Sequence, residues 1–352
     1  MKPVLVTGGT GFLGSHLVDR LVLDGKKVRV FARPGSSTAN IREHIENGNV
    51  EIVRGDLRNS ESLKQACSGV KKIYNTASAV DFSLPEEIFY SVNVHALRDF
   101  VNTAVETGVE RFIHVSSIGF YGWSQGPIDE KTELRPLNVY EKTKLLGERI
   151  VFEDYEGKGF PVTVIEPSAI YGPRARVGIP RMIQWVKKGW MPLIDDGSHR
   201  LNMVYVSDVV EALILASEKR EAIGEKFVIG YENSPTYREI FETLSDCLGV
   251  EPPRWSVPAG LARFFSAIIQ KGAELLGLDF FPLYDYLNYM TLDGVLDISK
   301  AKRILGYTPK VGLKEGMQKT VEWFCKNNLV CEERISGFPR ARSEQVPSPG
   351  TG

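Results

Sequence analysis

Short apolar runs rich in valine and isoleucine recur along the first half of the chain, separated by longer amphipathic stretches. Val4–Val6, Val28–Phe31, Val50–Val53, Lys72–Asn75, Phe112–Val115 and Val162–Ile165 lack the polar alternation of a half-exposed strand. Strands of that kind are buried on both faces and belong to a parallel sheet covered by helices. Between them, Ser15–Asp24 places Leu17, Val18, Leu21 and Val22 on one helical face, and Val92–Thr107 also reads as a helix. Alternating strand and helix predict an α/β fold, a doubly wound parallel sheet with right-handed crossovers. From Gly172 onward the rhythm changes, with prolines and glycines clustering in 173–180, 192–197 and 252–258. That change predicts a smaller C-terminal lobe woven from separate segments. Residues 335–352, rich in proline, serine, glycine and charge, are expected to form a disordered tail.

Composition narrows the class. The 352 residues carry 43 basic and 44 acidic side chains, a formal net charge of −1. So even a balance, without basic runs, gives no electrostatic reason to expect a nucleic-acid partner. Cys67, Cys247, Cys325 and Cys331 are too scattered for a disulfide framework or a zinc site, so no metal is expected and a reducing, cytoplasmic setting is. The first strand-like run begins at Val4, so no signal peptide is expected either. The apolar helix-periodic stretch Ala259–Gly277 is interrupted by Arg263, Lys271 and Glu274 and is barely as long as the roughly 20 residues a membrane span requires. No membrane span is expected; the stretch reads as a core helix or as a lid over a lipophilic substrate.

Between the first strand and the first helix runs Thr7-Gly8-Gly9-Thr10-Gly11-Phe12-Leu13-Gly14, with Gly8, Gly11 and Gly14 three apart. Glycines there permit a tight turn and close approach of backbone to a pyrophosphate, which the free N–H groups of the helix N-terminus attract. This predicts a dinucleotide-binding domain over 1–172, rejoined by 203–230, with a substrate lobe from 173–202 and 231–330. The second strand ends at Ala32-Arg33, without the carboxylate that would receive a ribose 2′-OH. Arg33 can instead pair with a 2′-phosphate, so NADP is expected and NAD is the alternative. Asp56, ahead of Leu57, reads either as an acceptor for the adenine amino group or as a helix N-cap.

Tyr140 and Lys144 stand four residues apart, on one face of a helix and about 6 Å apart at the backbone. A lysine so placed is expected to lower the phenol's pKa and fit it for proton exchange. Ser117, just beyond the fifth strand, can hydrogen-bond the substrate oxygen.

Together TGGTGFLG, GDL, NTASA, SSIGFYG, YEKTK, PSAIYGPR and YVSDVVEA stand in an order and spacing that resembles the extended short-chain dehydrogenase/reductases of the NAD-dependent epimerase/dehydratase family, over about residues 3–330. The resemblance implies Ser117, Tyr140 and Lys144 as the catalytic set. It also implies cofactor contacts from Gly8, Thr10, Gly11, Phe12, Leu13, Gly14, Arg33, Asp56, Leu57, Ala77, Ala79, Asn93, Pro167, Ser168 and Ile170, besides Tyr140 and Lys144. A homodimer formed through the helices near Val92–Thr107 and Tyr140–Tyr155 is implied as well.

Within that family, dehydratases and sugar-acid decarboxylases carry acidic residues where this chain has Ile118, Gly119 and Phe120, so both reactions lack their acid here. Ser168 replaces an asparagine that helps hold a nucleotide-sugar diphosphate. The pattern is similar to the dihydroflavonol reductase and hydroxysteroid dehydrogenase-like branch. The expected function is NAD(P)-dependent hydride transfer on a carbonyl or alcohol of a small organic substrate. Two alternatives stay open: a nucleotide-sugar 4-epimerase with tightly held NAD, and a non-catalytic NADP(H) sensor. Phe82, Tyr121, Trp123, Arg174 and Arg200 are candidate substrate contacts.

Overall fold

The computed structural model describes residues 2–329 except 83, 123–125, 276–286, 288–289 and 292. Trp123 and the segment 335–352 therefore lie outside the described residues. Strands β1 (Val4–Thr7), β2 (Val28–Ala32), β3 (Val50–Arg54), β4 (Lys72–Asn75), β5 (Arg111–Val115) and β6 (Val162–Pro167) match the six apolar runs within a residue or two. Helices α1 (Phe12–Leu23), α2 (Arg42–Glu46), α3 (Ser60–Cys67), α4 (Glu86–Tyr90) and α5 (Ala96–Glu106) fill the crossovers, with α6 (Val139–Lys158) before β6. Beyond β7 (Ala169–Tyr171) follow α7 (Ile179–Lys187), β8 (Leu193–Ile194), β9 (Met203–Tyr205) and α8 (Val206–Glu218). The chain continues through β10 (Glu225–Ile229), α9 (Tyr237–Leu248), β11 (Ser256–Val257), α10 (Ala259–Leu275) and α11 (Leu313–Lys326).

Seven strands form one parallel sheet in the order β10-β6-β5-β4-β1-β2-β3. Strand order reverses between β1 and β4, so the loops leaving these neighbours diverge and open a crevice at their carboxyl ends. Side chains alternate between the two covered faces. Val6, Val30, Tyr74, Ile113 and Ile165 point to one core, with Leu17, Val18 and Leu213. Leu5, Phe31, Ile73, Phe112 and Val164 point to the other, with Leu97, Phe100 and Val151. The exception to burial on both faces is β3, whose edge position leaves Glu51 and Arg54 exposed.

The helix expected at Val92–Thr107, in the crossover from β4 to β5, begins earlier than its periodicity predicts. Pro85 fixes the start, Glu86 and Glu87 complement the positive end of the helix dipole, and a π-turn at Ser91–His95 joins α4 to α5. The last strand of the sheet, β10, comes from beyond Gly172, because α8 packs over β5 and β6 and returns the chain to the sheet edge. Two small parallel pairs, β7 with β9 and β8 with β11, build the region beyond the sheet.

Phe112 is fully buried among Phe100 and Phe160, with ring centroids 5.4 and 5.9 Å away. Phe112→Ala should cost about 3–5 kcal/mol, through lost transfer energy plus the cavity left behind. Urea unfolding checks this, and a loss under 1 kcal/mol would mean that the core closes around the gap.

Candidate active site

The glycine loop is shaped by contacts that no side chain would allow. Gly8 takes φ +68°, and a Cβ there would lie 2.9 Å from the Ala77 nitrogen; one on Gly14 would lie 2.2 Å from the Gly8 oxygen. The loop after β1 is thereby pressed against the loop after β4. Thr7 Oγ1 donates to Asn75 Oδ1 at 2.6 Å and Thr76 Oγ1 donates to the Thr7 carbonyl at 2.7 Å. Helix α1 starts at Gly11 with no side-chain cap and no acidic residue in its first turn, which leaves its N-terminal N–H groups to an anion. This cradle fits a dinucleotide pyrophosphate. Arg174 (φ +67°) stands beside it, donating to Ser15 Oγ at 3.2 Å and Asp19 Oδ2 at 2.7 Å. That tie to α1 places Arg174 beside the phosphate loop.

At the far end of the crevice Ala32 is buried and Arg33 is exposed. Arg54, unremarked in the sequence, donates to the carbonyls of Arg33 and Ser36, both at 3.0 Å, and so holds the loop that carries Arg33. Asp56 caps no helix; Asn59 does that for α3. The Asp56 carboxylate instead accepts from the Arg58 side chain at 2.9 and 2.7 Å, and this pair holds its pKa below the usual range.

Helix α6 carries Tyr140 and Lys144. The Asn138 side chain accepts from the Glu141 nitrogen at 3.0 Å, and the Glu141 carboxylate accepts from the Leu137 nitrogen at 2.6 Å. This reciprocal cap fixes where the helix starts, and with it the direction of Tyr140; the N-x-x-E spacing was its available sequence signal. Tyr140 and Ser117 are hydrogen-bonded through their hydroxyls, and Ser117 Oγ also accepts from the Gly119 nitrogen at 3.1 Å. Lys144 is buried and donates to the Val115 carbonyl at 2.6 Å. The Phe82 and Phe89 rings meet Tyr140 edge-on at 5.7 and 6.4 Å.

The electrostatics differ from the expectation that Lys144 lowers the phenol. Burial pushes Tyr140 up to about 12, with the Ser117 hydrogen bond acting the other way. Burial likewise pulls Lys144 down to about 8, partly offset by Glu148. The lysine's hydrogen bond is spent on Val115, and desolvation dominates both groups.

Asn93 belongs to the π-turn and is buried. Its side chain accepts from the Ala79 nitrogen at 2.8 Å and donates to the Ala79 carbonyl at 3.1 Å and to Thr143 Oγ1 at 3.2 Å. Leu57, Ala77, Asn93 and Lys144 line one small cavity with Asn75 and His114, so four separately inferred cofactor residues converge there. Of the remainder, Ser168 is buried at the end of β6, and its nitrogen donates to the Ile229 carbonyl at 2.8 Å. Ile170 lies in β7.

Two candidate substrate contacts have partners within the protein. Tyr121 is buried, its hydroxyl donating to Glu166 Oε2 at 2.8 Å and receiving from Lys226 Nζ at 2.9 Å. Lys226 also reaches Glu148 Oε1 at 3.2 Å. Burial, and then the Glu148 charge, push Glu166 well above the ordinary carboxylate range. This buried network joins residues far apart in sequence, so no local pattern announces it. Arg200 Nη1 donates to the Ser234 carbonyl at 2.6 Å, and its backbone nitrogen donates to Asp293.

A glycine cradle at the switch point, with a serine–tyrosine–lysine set beside it, defines a dinucleotide-dependent oxidoreductase of the α/β class. The family model for the NAD dependent epimerase/dehydratase family matches residues 4–230, and the chain belongs to that family. It is an NAD-dependent oxidoreductase. Its relatives include the sterol-4-alpha-carboxylate 3-dehydrogenase, decarboxylating, of Mus musculus, 30% identical over 92% of this chain and 91% of that one. Sterol demethylase protein B of Methylococcus capsulatus is 30% identical over 93% and 99%. Among solved structures, gox2253 is 28% identical with TM-score 0.80, covering 94% of this chain and 100% of that one. The UDP-glucose 4-epimerase of Thermotoga maritima is 25% identical with TM-score 0.75, over 93% and 99%.

The depressed pKa of Lys144 has a stability consequence. Between about 8 and 10.5 the unfolded lysine keeps its proton while the folded one has lost it, so stability rises with pH there. Wild type should gain on the order of 3 kcal/mol over Lys144→Met across that window, read from paired urea titrations. Parallel curves would show that the amine is well solvated.

Proposed function

We propose that the protein oxidises a secondary ring alcohol of a lipophilic, sterol-like substrate, with 1–172 and 203–230 binding the dinucleotide and 173–202 and 231–330 forming the substrate lobe. The observation that carries the substrate class is the wall beside the reacting hydroxyl. Phe82, 42% exposed, lies edge-on to Tyr140, and Val80 nearby is 43% exposed. Such a wall suits a hydrocarbon ring system better than a sugar. The sterol dehydrogenases among the relatives support the same reading.

A dinucleotide bound across the crevice supplies the hydride acceptor. Gly8, Thr10, Gly11, Phe12, Leu13 and Gly14 hold its pyrophosphate end, with Asp56 and Leu57 toward the adenosine. Ala77, Ala79, Lys144, Pro167, Ser168 and Ile170 surround the nicotinamide end, and Asn93 keeps the Ala79 loop in place. Ser117 orients the substrate hydroxyl and Tyr140 takes its proton as the carbon–hydrogen bond breaks. A phenol near 12 needs help to do so; a protonated Lys144 and the positive charge of an oxidised nicotinamide would each stabilise the phenolate.

Where the substrate carries a carboxylate β to the new ketone, loss of CO2 needs no further acid. The carbon–carboxylate bond breaks, its electron pair becomes an enolate, and the enolate carbon takes a proton. The aliphatic and aromatic residues Ile118, Gly119 and Phe120 are therefore compatible with a decarboxylating dehydrogenase, although they do not suit a sugar-acid decarboxylase. Arg33 favours NADP over NAD in this proposal, because Ala32 offers no carboxylate and Arg54, which holds the Arg33 loop, adds positive charge. Pairing of two chains through α5 and α6 completes the reading.

The test of the substrate class is turnover of a 3-hydroxysteroid 4-carboxylate and of a UDP-hexose, followed by cofactor absorbance. Reduction of cofactor by the steroid alone is expected; inversion of the sugar without net reduction would place the protein with the epimerases. Tyr140→Phe should lower turnover about 10²- to 10⁴-fold while cofactor affinity stays within about twofold. Normal turnover in that variant would remove the phenol from the mechanism. NADPH should bind about tenfold tighter than NADH, and Arg33→Ala should close the gap. Equal affinities in wild type, or a preference that survives the substitution, would leave Arg33 without a role.

A further inference from the structure

Helix α10 is amphipathic in the inverse sense. Leu261, Phe264, Phe265, Ile268 and Ile269 recur at i, i+3, i+4, i+7 and i+8, which aligns them on one face, and each is between 45% and 60% exposed. The face turned to the protein is small and polar. Ala262 and Ser266 are buried there, and Arg263 hydrogen-bonds Thr291. Neither a core helix nor a solvated one has this distribution. A core helix buries its large side chains, and a solvated one exposes charge.

The surroundings indicate what covers it. The strand pair β8/β11 leads straight into α10, and each strand is preceded by an exposed tryptophan, Trp190 at 65% and Trp255 at 51%. Leu193 donates to the Trp255 carbonyl at 3.1 Å, and Ala259 donates to Asp195 Oδ1 at 2.8 Å, so helix and strand pair are one unit. Cations gather on one of these segments. Residues 181–190 hold Arg181, Lys187 and Lys188 and no acidic residue; α10 adds Lys271 near Glu274, while its Arg263 is turned to Thr291. Lys188 Nζ lies 4.8 Å from the Trp190 ring centroid, and Arg254 pairs with Glu251. Apolar side chains flanked by tryptophan and cations match the layers of a phospholipid surface: acyl chains, the headgroup boundary where indole rings settle, and anionic headgroups. Among the described residues no helix is long and apolar enough to cross a membrane, so the geometry is that of a helix lying in the interface.

We infer that α10, with Trp190 and Trp255 at its margin, docks the protein on the surface of an anionic phospholipid bilayer. This stands apart from the substrate's identity, since Leu261, Phe264, Phe265, Ile268 and Ile269 are not among the residues assigned to cofactor or proton transfer. The experiment is co-sedimentation of the full chain with vesicles of phosphatidylcholine, with and without phosphatidylserine, at low and high salt. Wild type should be captured by the serine-lipid vesicles and released in part by salt. The double substitution Phe265→Ser with Ile268→Ser should lower the bound fraction about tenfold or more, with NADH binding and the thermal midpoint unchanged. No capture of wild type, equal capture by both vesicle types, or full capture of the double variant would overturn the assignment. So would a wild-type dimer in gel filtration that the double variant converts to monomer, since a second copy would then be what covers the face.

Discussion

Where β1 and β4 part company at the switch point, their outgoing loops are held against one another by backbone contact that tolerates no Cβ at Gly8. Everything at the site takes its position from that seam. Thr7, Asn75 and Thr76 close it with short hydrogen bonds. Asn93 then grips Ala79, three residues beyond Thr76, and the same side chain reaches Thr143 beside Lys144. The glycine loop, the loop after β4 and helix α6 are thus joined by three successive contacts. Movement at one end is passed to the other through atoms in direct contact.

The proton chemistry depends on a second property, the dryness of the sheet's carboxyl edge. Burial raises the phenol of Tyr140 and depresses the amine of Lys144, so both are biased toward their neutral forms. His114, fully enclosed, is held neutral as well. A site tuned this way responds strongly to any charge that enters it, because buried charges are weakly screened. Behind it, burial and the Glu148 charge raise Glu166 well above the ordinary carboxylate range, and Lys226 faces both carboxylates beneath α6.

Much of this was legible in the sequence because it is local. Glycine spacing, the Tyr140–Lys144 interval and doubly buried strands each express geometry within a few residues. Long-range features were not. Tyr121 reads as a candidate contact, yet it turns inward to Glu166, which is 45 residues away. Arg174 reads as a substrate anchor, and only the return of the chain past α1 shows its partners to be Ser15 and Asp19. The periodicity of α10 was visible, but a periodic apolar face does not say whether it points in or out. Edge strand β3 differs from its neighbours only through its place in the sheet.

The π-turn at Ser91–His95 has an architectural consequence. An extra residue in one turn advances everything after it by about 100° around the axis, so one continuous helix addresses two different partners. Ahead of the turn, Phe89 lies against Tyr140; beyond it, Leu97 and Phe100 enter the core beneath the sheet. At the turn itself the Asn93 carbonyl approaches α6 so closely that a Cβ on Gly147 would come within 2.7 Å of it. The two helices therefore mesh at a single tooth and notch, and sliding either one by a residue would drive a side chain into a carbonyl. What looks like a flaw in a regular helix acts as the index mark that sets the angular position of Tyr140.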